Sequence, residues 1–153
     1  MKNFSVTDVM QTDCIKLKAE MALYEALRLL LREGCSGAPV LNSAGEVLGV
    51  LTLKEIVYAL FDTDKEDDLP EGPLSNSSDR WRSILKEQVE ELESILVEEV
   101  MNADVETFSP SDSVSTVAAQ MHFSGTELVI VVDRERFVGV VSWRDLVQLL
   151  EDH

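Results

Sequence analysis

An internal repeat constrains this chain more than any other feature of its sequence. Val9-Met10 returns 91 positions later as Val100-Met101. The helix-patterned set Leu23, Ala26, Leu27, Leu30 and Gly34 returns at the same shift as Val114, Val117, Ala118, Met121 and Gly125. After a one-residue deletion the shift is 90, and Gly49-Val50-Leu51-Thr52-Leu53-Lys54-Glu55 returns as Gly139-Val140-Val141-Ser142-Trp143-Arg144-Asp145. Two copies of one supersecondary unit predict a body with pseudo-twofold symmetry, a cleft between the halves and two related candidate sites.

Each copy has a readable internal order. Cys14 to Leu17 alternates apolar and polar, a short strand signal. Leu23, Ala26, Leu27, Leu30 and Leu31 follow the spacing of a helix with one buried face, which Gly34 ends. Ala38-Pro39-Val40-Leu41 is a buried strand with proline at its start, Asn42-Ser43-Ala44-Gly45 is turn chemistry, and Val47 to Leu51 returns as the second arm of a hairpin. Ile56, Val57, Leu60 and Phe61 mark a second helix. The second copy repeats this order. It has a strand at Val105–Phe108 and a helix capped by Ser113. Its hairpin, Val129–Val132 with Phe137–Val141, turns at Asp133-Arg134-Glu135-Arg136, and Leu146, Val147, Leu149 and Leu150 carry the last helix. The expected fold is α+β: strand–helix–strand–strand–helix twice, packed sheet to sheet because one copy has too small a core to stand alone.

The first copy occupies residues 1–61 and the second 98–153. Between them, 62–78 is an acidic run followed by a Pro-Gly-Ser stretch, which reads as a solvated loop. The run misses the calcium-loop pattern because Asp67 stands where the turn glycine belongs. Residues 79–97 form an additional amphipathic helix, with Trp81, Ile84, Leu85, Val89, Leu92, Ile95 and Leu96 on one stripe, Ser77 or Ser78 as cap and Asp79 in the first turn. Glutamates crowd its C-terminal half, where the helix dipole disfavours them, so the stripe must pack on the repeat body or on a second subunit.

Both copies carry Gly-x-x-[Ser/Thr]-x-x-acid at a strand–helix junction. Thr52 with Glu55 and Ser142 with Asp145 have the spacing of a helix capping box, and glutamate suits that box better than the shorter aspartate. The same atoms can face outward. The helix start offers N–H groups and the hydroxyl a donor to a phosphate, the carboxylate can accept from two ribose hydroxyls, and the glycine permits close approach of a ligand.

On these residues the chain resembles the cystathionine-β-synthase-type (CBS) domain pair. The resemblance covers residues 5–61 and 95–151. It rests on the Val-Met pair, the helix ending in Gly34 or Gly125, the Ala38-Pro39-Val40 strand and the paired glycine motifs. The long helix between the repeats is similar to that of small stand-alone members. The resemblance implies a regulatory, non-catalytic module, dimeric, that binds an adenosine-containing ligand such as AMP, ADP, ATP or S-adenosylmethionine between its repeats, with no obligatory cofactor and no metal. It implies that Asp145 holds the ribose hydroxyls, that Ser142 lies near the α-phosphate, and that Cys14, Ser36, Gly37 and Val140 line the adenine pocket. The pseudo-equivalent site would use Thr52, Glu55 and Val50, with Val105 and Glu127. Glu55 replaces the family's usual aspartate, and Ser36-Gly37 and Glu127-Leu128 stand where polyphosphate-binding members carry basic residues. The Ser142–Asp145 site is therefore the stronger of the two, with Lys54 and Arg144 as possible phosphate contacts and Glu127 a source of repulsion. A ligand-free interaction adaptor is the alternative reading.

Composition excludes other classes. Thirteen Lys and Arg against 29 Asp and Glu leave a net charge of −16, which disfavours nucleic acid and anionic membrane surfaces. No apolar stretch approaches the roughly 18 residues of a membrane span. Met1-Lys2-Asn3-Phe4-Ser5 has no apolar signal segment, so a cytoplasmic protein with free Cys14 and Cys35 is expected. Cys35 has no neighbouring histidine to activate it, and His122 reads as a surface or packing residue. Trp143 suits either a cleft wall or a subunit interface.

Overall fold

The computed structural model describes residues 4–60 and 78–151, with the side chains of 78–85 outside that description. Phe61, the 62–77 segment, and the side chains of Ser78, Asp79, Trp81, Ile84 and Leu85 therefore lie outside the described residues. Each repeat has the expected order. The first runs β1 (Leu17–Lys18), α1 (Leu23–Glu33), β2 (Gly37–Leu41), β3 (Val47–Thr52) and α2 (Leu53–Leu60). After α3 (Ser78–Ser94) and α4 (Val97–Val100), the second runs β4 (Thr107–Phe108), α5 (Val114–Ser124), β5 (Leu128–Asp133), β6 (Arg136–Ser142) and α6 (Trp143–Gln148). Each repeat forms one three-stranded sheet, β1-β2-β3 or β4-β5-β6, with the first pair parallel and the hairpin antiparallel.

Local chemistry explains most of these limits. Gly34 and Gly125 end α1 and α5 with φ of 66° and 70°, a left-handed conformation glycine adopts without Cβ cost. Ser113 caps α5 by accepting the Thr116 N–H at 3.2 Å. Pro39 lies within the central strand β2, opposite Val50. Val50 gives its own N–H and C=O to Asn102, both at 2.9 Å, so the ladder asks Pro39 for no N–H. The second turn is tighter than expected. Asp133 and Arg136 pair as strand ends, leaving Arg134 and Glu135 alone in the loop with φ of 53° and 69°.

Other expectations needed correction. The opening strands are two residues long, Leu17–Lys18 and Thr107–Phe108, rather than four. Leu31 is exposed on α1, and Val57, Val147 and Leu150 are exposed on or just after α2 and α6. The buried face of α1 is Leu23, Ala26 and Leu30 alone. The C-terminal end of α3 packs on the first repeat, where Leu92 is buried and Ile95 half-buried.

The opening segments are exchanged between the repeats. Residues 4–11 belong to the second repeat's body. Val6 is buried with Val117, Met121 and Val131, and its N–H donates to the Asp112 carbonyl at 2.8 Å. Residues 95–102 complete the first. Val97 is buried with Leu23, Leu30 and Ile56, and its N–H donates to the Met21 carbonyl at 2.8 Å. Each exchanged segment ends in a two-rung bridge to the outer edge of a hairpin strand, Gln11 with Val140 and Asn102 with Val50. Between the sheets, Val50, Leu128, Ile130 and Val140 form a shared cluster. The hairpin tips also meet, with the Phe137 N–H donating to the Gly45 carbonyl at 3.0 Å.

Gly49 and Gly139 serve this exchange. A Cβ on Gly49 would stand 2.8 Å from the Asn102 carbonyl and 2.9 Å from Met101 Sδ, and one on Gly139 2.9 Å from the Gln11 carbonyl. The repeated glycine admits the Val-Met segment of the other repeat, not a ligand. Gly49→Ala should therefore destabilise the fold by roughly 1–3 kcal/mol through overpacking, read as a Tm several degrees lower in thermal unfolding. An unchanged Tm would refute the close-approach account.

Candidate functional site

Strand β6 delivers Ser142 to the start of α6, and the junction closes on itself. Asp145 Oδ2 accepts the Ser142 N–H at 2.8 Å and the Ser142 hydroxyl at 3.0 Å, while Ser142 Oγ accepts the Asp145 N–H at 3.4 Å. This is a complete capping box. In the other repeat Glu55 Oε2 accepts from the Thr52 N–H at 2.9 Å and from the Thr52 hydroxyl. Glutamate thus reaches the Thr52 N–H as expected, and the aspartate, expected to close its box less well, closes it too.

Asp145 is 4% exposed and is the one buried charged residue among the described residues. Its second oxygen, Oδ1, accepts from Gln11 Nε2 at 2.6 Å. Gln11 is held there by its two backbone bonds to Val140, at 2.8 and 3.0 Å. The exchange of opening segments therefore carries a side chain of the first repeat onto the carboxylate of the second. Sequence reasoning missed Gln11. The available signal was a carboxamide directly after Val-Met in both copies, Gln11 and Asn102.

These groups face a cleft of about 690 Å³. Ser142, Asp145, Val140, Cys14, Ser36 and Gly37 all line it, so the structure brings the expected main set together. Arg144 and Trp143 line it as well. Glu127, expected at the weaker site, lies on this cleft beside Leu128, because β5 starts opposite Ser142. Glu33, at the last turn of α1, also faces it and had no signal in the repeat pattern. Lys54 lies elsewhere, its Nζ 5.9 Å from the ring centroid of Tyr58.

The pseudo-equivalent residues are arranged differently. Val50 and Val105 pack with the cluster between the sheets, as Cys14 and Val140 do. Asn102, however, turns its Oδ1 to the Asp104 N–H at 3.0 Å, and no bridge from Asn102 to Glu55 forms among the described residues. His122 is exposed beside Phe123. Cys14 and Cys35 are free and half-buried. Burial pushes both thiols above the ordinary range, with the charge of Glu33 adding to the effect at Cys35. Among the described residues no three His, Cys, Asp or Glu side chains come together as a metal site, and no helix is long and apolar enough to cross a membrane.

Comparison with known proteins decides the family. The CBS domain pattern matches residues 6–62 and 97–152. The chain belongs to the CBS domain family. An uncharacterised protein of Methanocaldococcus jannaschii, MJ1426, is 30% identical over 141 residues, covering 84% of this CBS pair and 80% of the relative. A second from that organism, MJ1225, is 22% identical over 97% of the pair, which spans 43% of that protein. Among solved structures, the CBS domain pair of protein MJ0100, in complex with 5′-methylthioadenosine and S-adenosyl-L-methionine, has a TM-score of 0.73 at 22% identity. It is covered over 98% of its length by 99% of this chain. CBSX2 in complex with AMP has a TM-score of 0.73 at 16% identity, with 97% of both chains covered. At these identities the likeness shows the fold.

The raised thiols give a measurable pH dependence. Cys14 alkylation by iodoacetamide should show a midpoint above the ordinary thiol value of about 8.5, because the thiolate is the reactive form. The folded chain holds these protons to higher pH than the unfolded chain. Their contribution to stability is intact below the ordinary thiol range and is lost as pH rises through it and through the higher folded value. A midpoint below the ordinary value would contradict the burial.

Proposed function

We propose that this CBS pair is a regulatory module that takes an adenosine-containing ligand in the cleft around Asp145. The observation that carries the reading is a buried carboxylate on the wall of a cleft of about 690 Å³, a volume ordinary for small-molecule sites. In this reading Asp145 Oδ2 stays with Ser142, and Oδ1 exchanges Gln11 for a ribose hydroxyl. Cys14, Ser36, Gly37 and Val140 would contact adenine, and Ser142, with Arg144 further out, the 5′ side. Thr52, Glu55, Val50 and Val105 would form the weaker site, with Lys54 near its rim. Other CBS pairs of this fold have been solved with adenosine compounds, which supports the ligand class. The role is sensing rather than catalysis, and free thiols suit a cytoplasmic setting.

One observation favours the adaptor reading: Gln11 already satisfies Asp145 without a ligand. A thermal-shift screen with AMP, ADP, ATP, S-adenosylmethionine and NAD separates the two. A ligand at 100 times its Kd should stabilise the fold by about 2.7 kcal/mol. No shift with any of them at millimolar concentration would leave the adaptor reading standing. With a binding compound in hand, Asp145→Asn should weaken affinity at least several-fold, by roughly 1 kcal/mol or more, and Glu55→Gln should change it less. Equal losses at both positions would refute the ranking of the sites.

The module is also proposed to act as a homodimer. Val57 on α2 and Val147 on α6 are equivalent positions, 50% and 58% exposed, and Tyr58, Phe123 and Leu150 add to the same helix pairs. The same exposed valine in both repeats marks helical faces that a second copy would cover. Light scattering on a sizing column should give twice the chain mass, and Val57→Glu with Val147→Glu should return it to a monomer. A monomeric unmodified chain at micromolar concentration would rule the dimer out.

A further inference from the structure

We infer that the Asp145 cleft selects adenosine ligands whose 5′ substituent is neutral or cationic, and turns away polyphosphates. The inference rests on the adenosine reading above and adds its charge rule. Three carboxylates, Glu33, Glu127 and Asp145, line the cleft against one guanidinium, Arg144. Glu33 is the last residue of the 11-residue helix α1, whose carbonyl end points negative potential the same way. On the opposing wall the Ser142–Asp145 capping box keeps its own donors. Helix α6 has six residues, and the Asp145 N–H is already taken by Ser142 Oγ. Ser142 donates its N–H and hydroxyl to Asp145. The donors closest to the carboxylate are spent inside the capping box.

The charge balance then sets the order of ligands. With the ribose on Asp145, its 5′ substituent would share the cleft with Glu33, Glu127 and Arg144. Each added phosphate raises the repulsion from two glutamates, and one arginine offsets only part of it. A sulfonium or ammonium group meets attraction from the same pair, and Arg144 remains to receive a single carboxylate. The net charge of −16 adds a long-range field of the same sign. Both glutamates are exposed, so the selection works through a screened field and depends on ionic strength.

Calorimetric titration of the full chain without magnesium tests this. The probes are adenosine, 5′-methylthioadenosine, S-adenosylmethionine, AMP and ATP, at low salt and again at high salt. S-adenosylmethionine and the neutral adenosines should bind at least about tenfold more tightly than ATP at low salt, with the gap narrowing as salt rises. In the double variant Glu33→Gln, Glu127→Gln, the ratio of ATP to adenosine affinity should rise at least about fivefold. ATP binding as tightly as adenosine, or a ratio unmoved by the double variant, would overturn the charge rule and leave the adenosine reading intact. No binding by any probe, adenosine included, would overturn both.

Discussion

Two short bridges hold this molecule together as one body. Gln11 pairs with Val140 and Asn102 pairs with Val50, each through two backbone hydrogen bonds of 2.8–3.0 Å. They lock the exchanged segments in place, and the segments in turn bring Val6 into one core and Val97 into the other. Fully burying a valine contributes about 1.5 kcal/mol or more, so each repeat draws part of its stability from chain that precedes the other. The glycines that let the bridges close, Gly49 and Gly139, are the same residues that make the repeat visible in sequence.

The two strand–helix junctions descend from one design and differ in a compensated way. One holds a long carboxamide and a short acid, Gln11 and Asp145; the other a short carboxamide and a long acid, Asn102 and Glu55. Only the first combination spans the gap. Asp145 stays pinned at the helix start by Ser142, and the longer Gln11 reaches its free oxygen. Glu55 folds back onto Thr52 and Asn102 onto its own loop. The result is one polarised, preorganised carboxylate and one self-contained helix cap.

Much of this was legible in the sequence because it follows from local rules. The left-handed glycines, the hairpins and the order of elements each depend on a few neighbouring residues. The residues that line the Asp145 cleft were legible in part through the repeat and the family resemblance. What escaped depends on partners distant in sequence. Nothing in the periodicity around Val9-Met10 says that it packs on residue 139 rather than on its own repeat, so by sequence alone the glycines read as room for a ligand. The shift of 91 maps Glu127 onto Ser36, yet the start of β5 also flanks Ser142 and puts Glu127 on the Asp145 cleft. Leu31, Val57, Val147 and Leu150 fit an amphipathic pattern, yet a pattern cannot tell a face turned to the core from one left for another chain.

The contact between hairpin tips has a mechanical consequence. Glu46 and Arg136 form a bridge at the turns, while Gly37 and Ser142 border the cleft at the opposite ends of their strands. A strand of five residues is a lever arm of roughly 17 Å. With the tips as fulcrum, a displacement of about 1 Å at the cleft end tilts one sheet by about 3° against the other. The helices ride on those sheets, so a small wedge at the base would be delivered to the outer surface as a rotation.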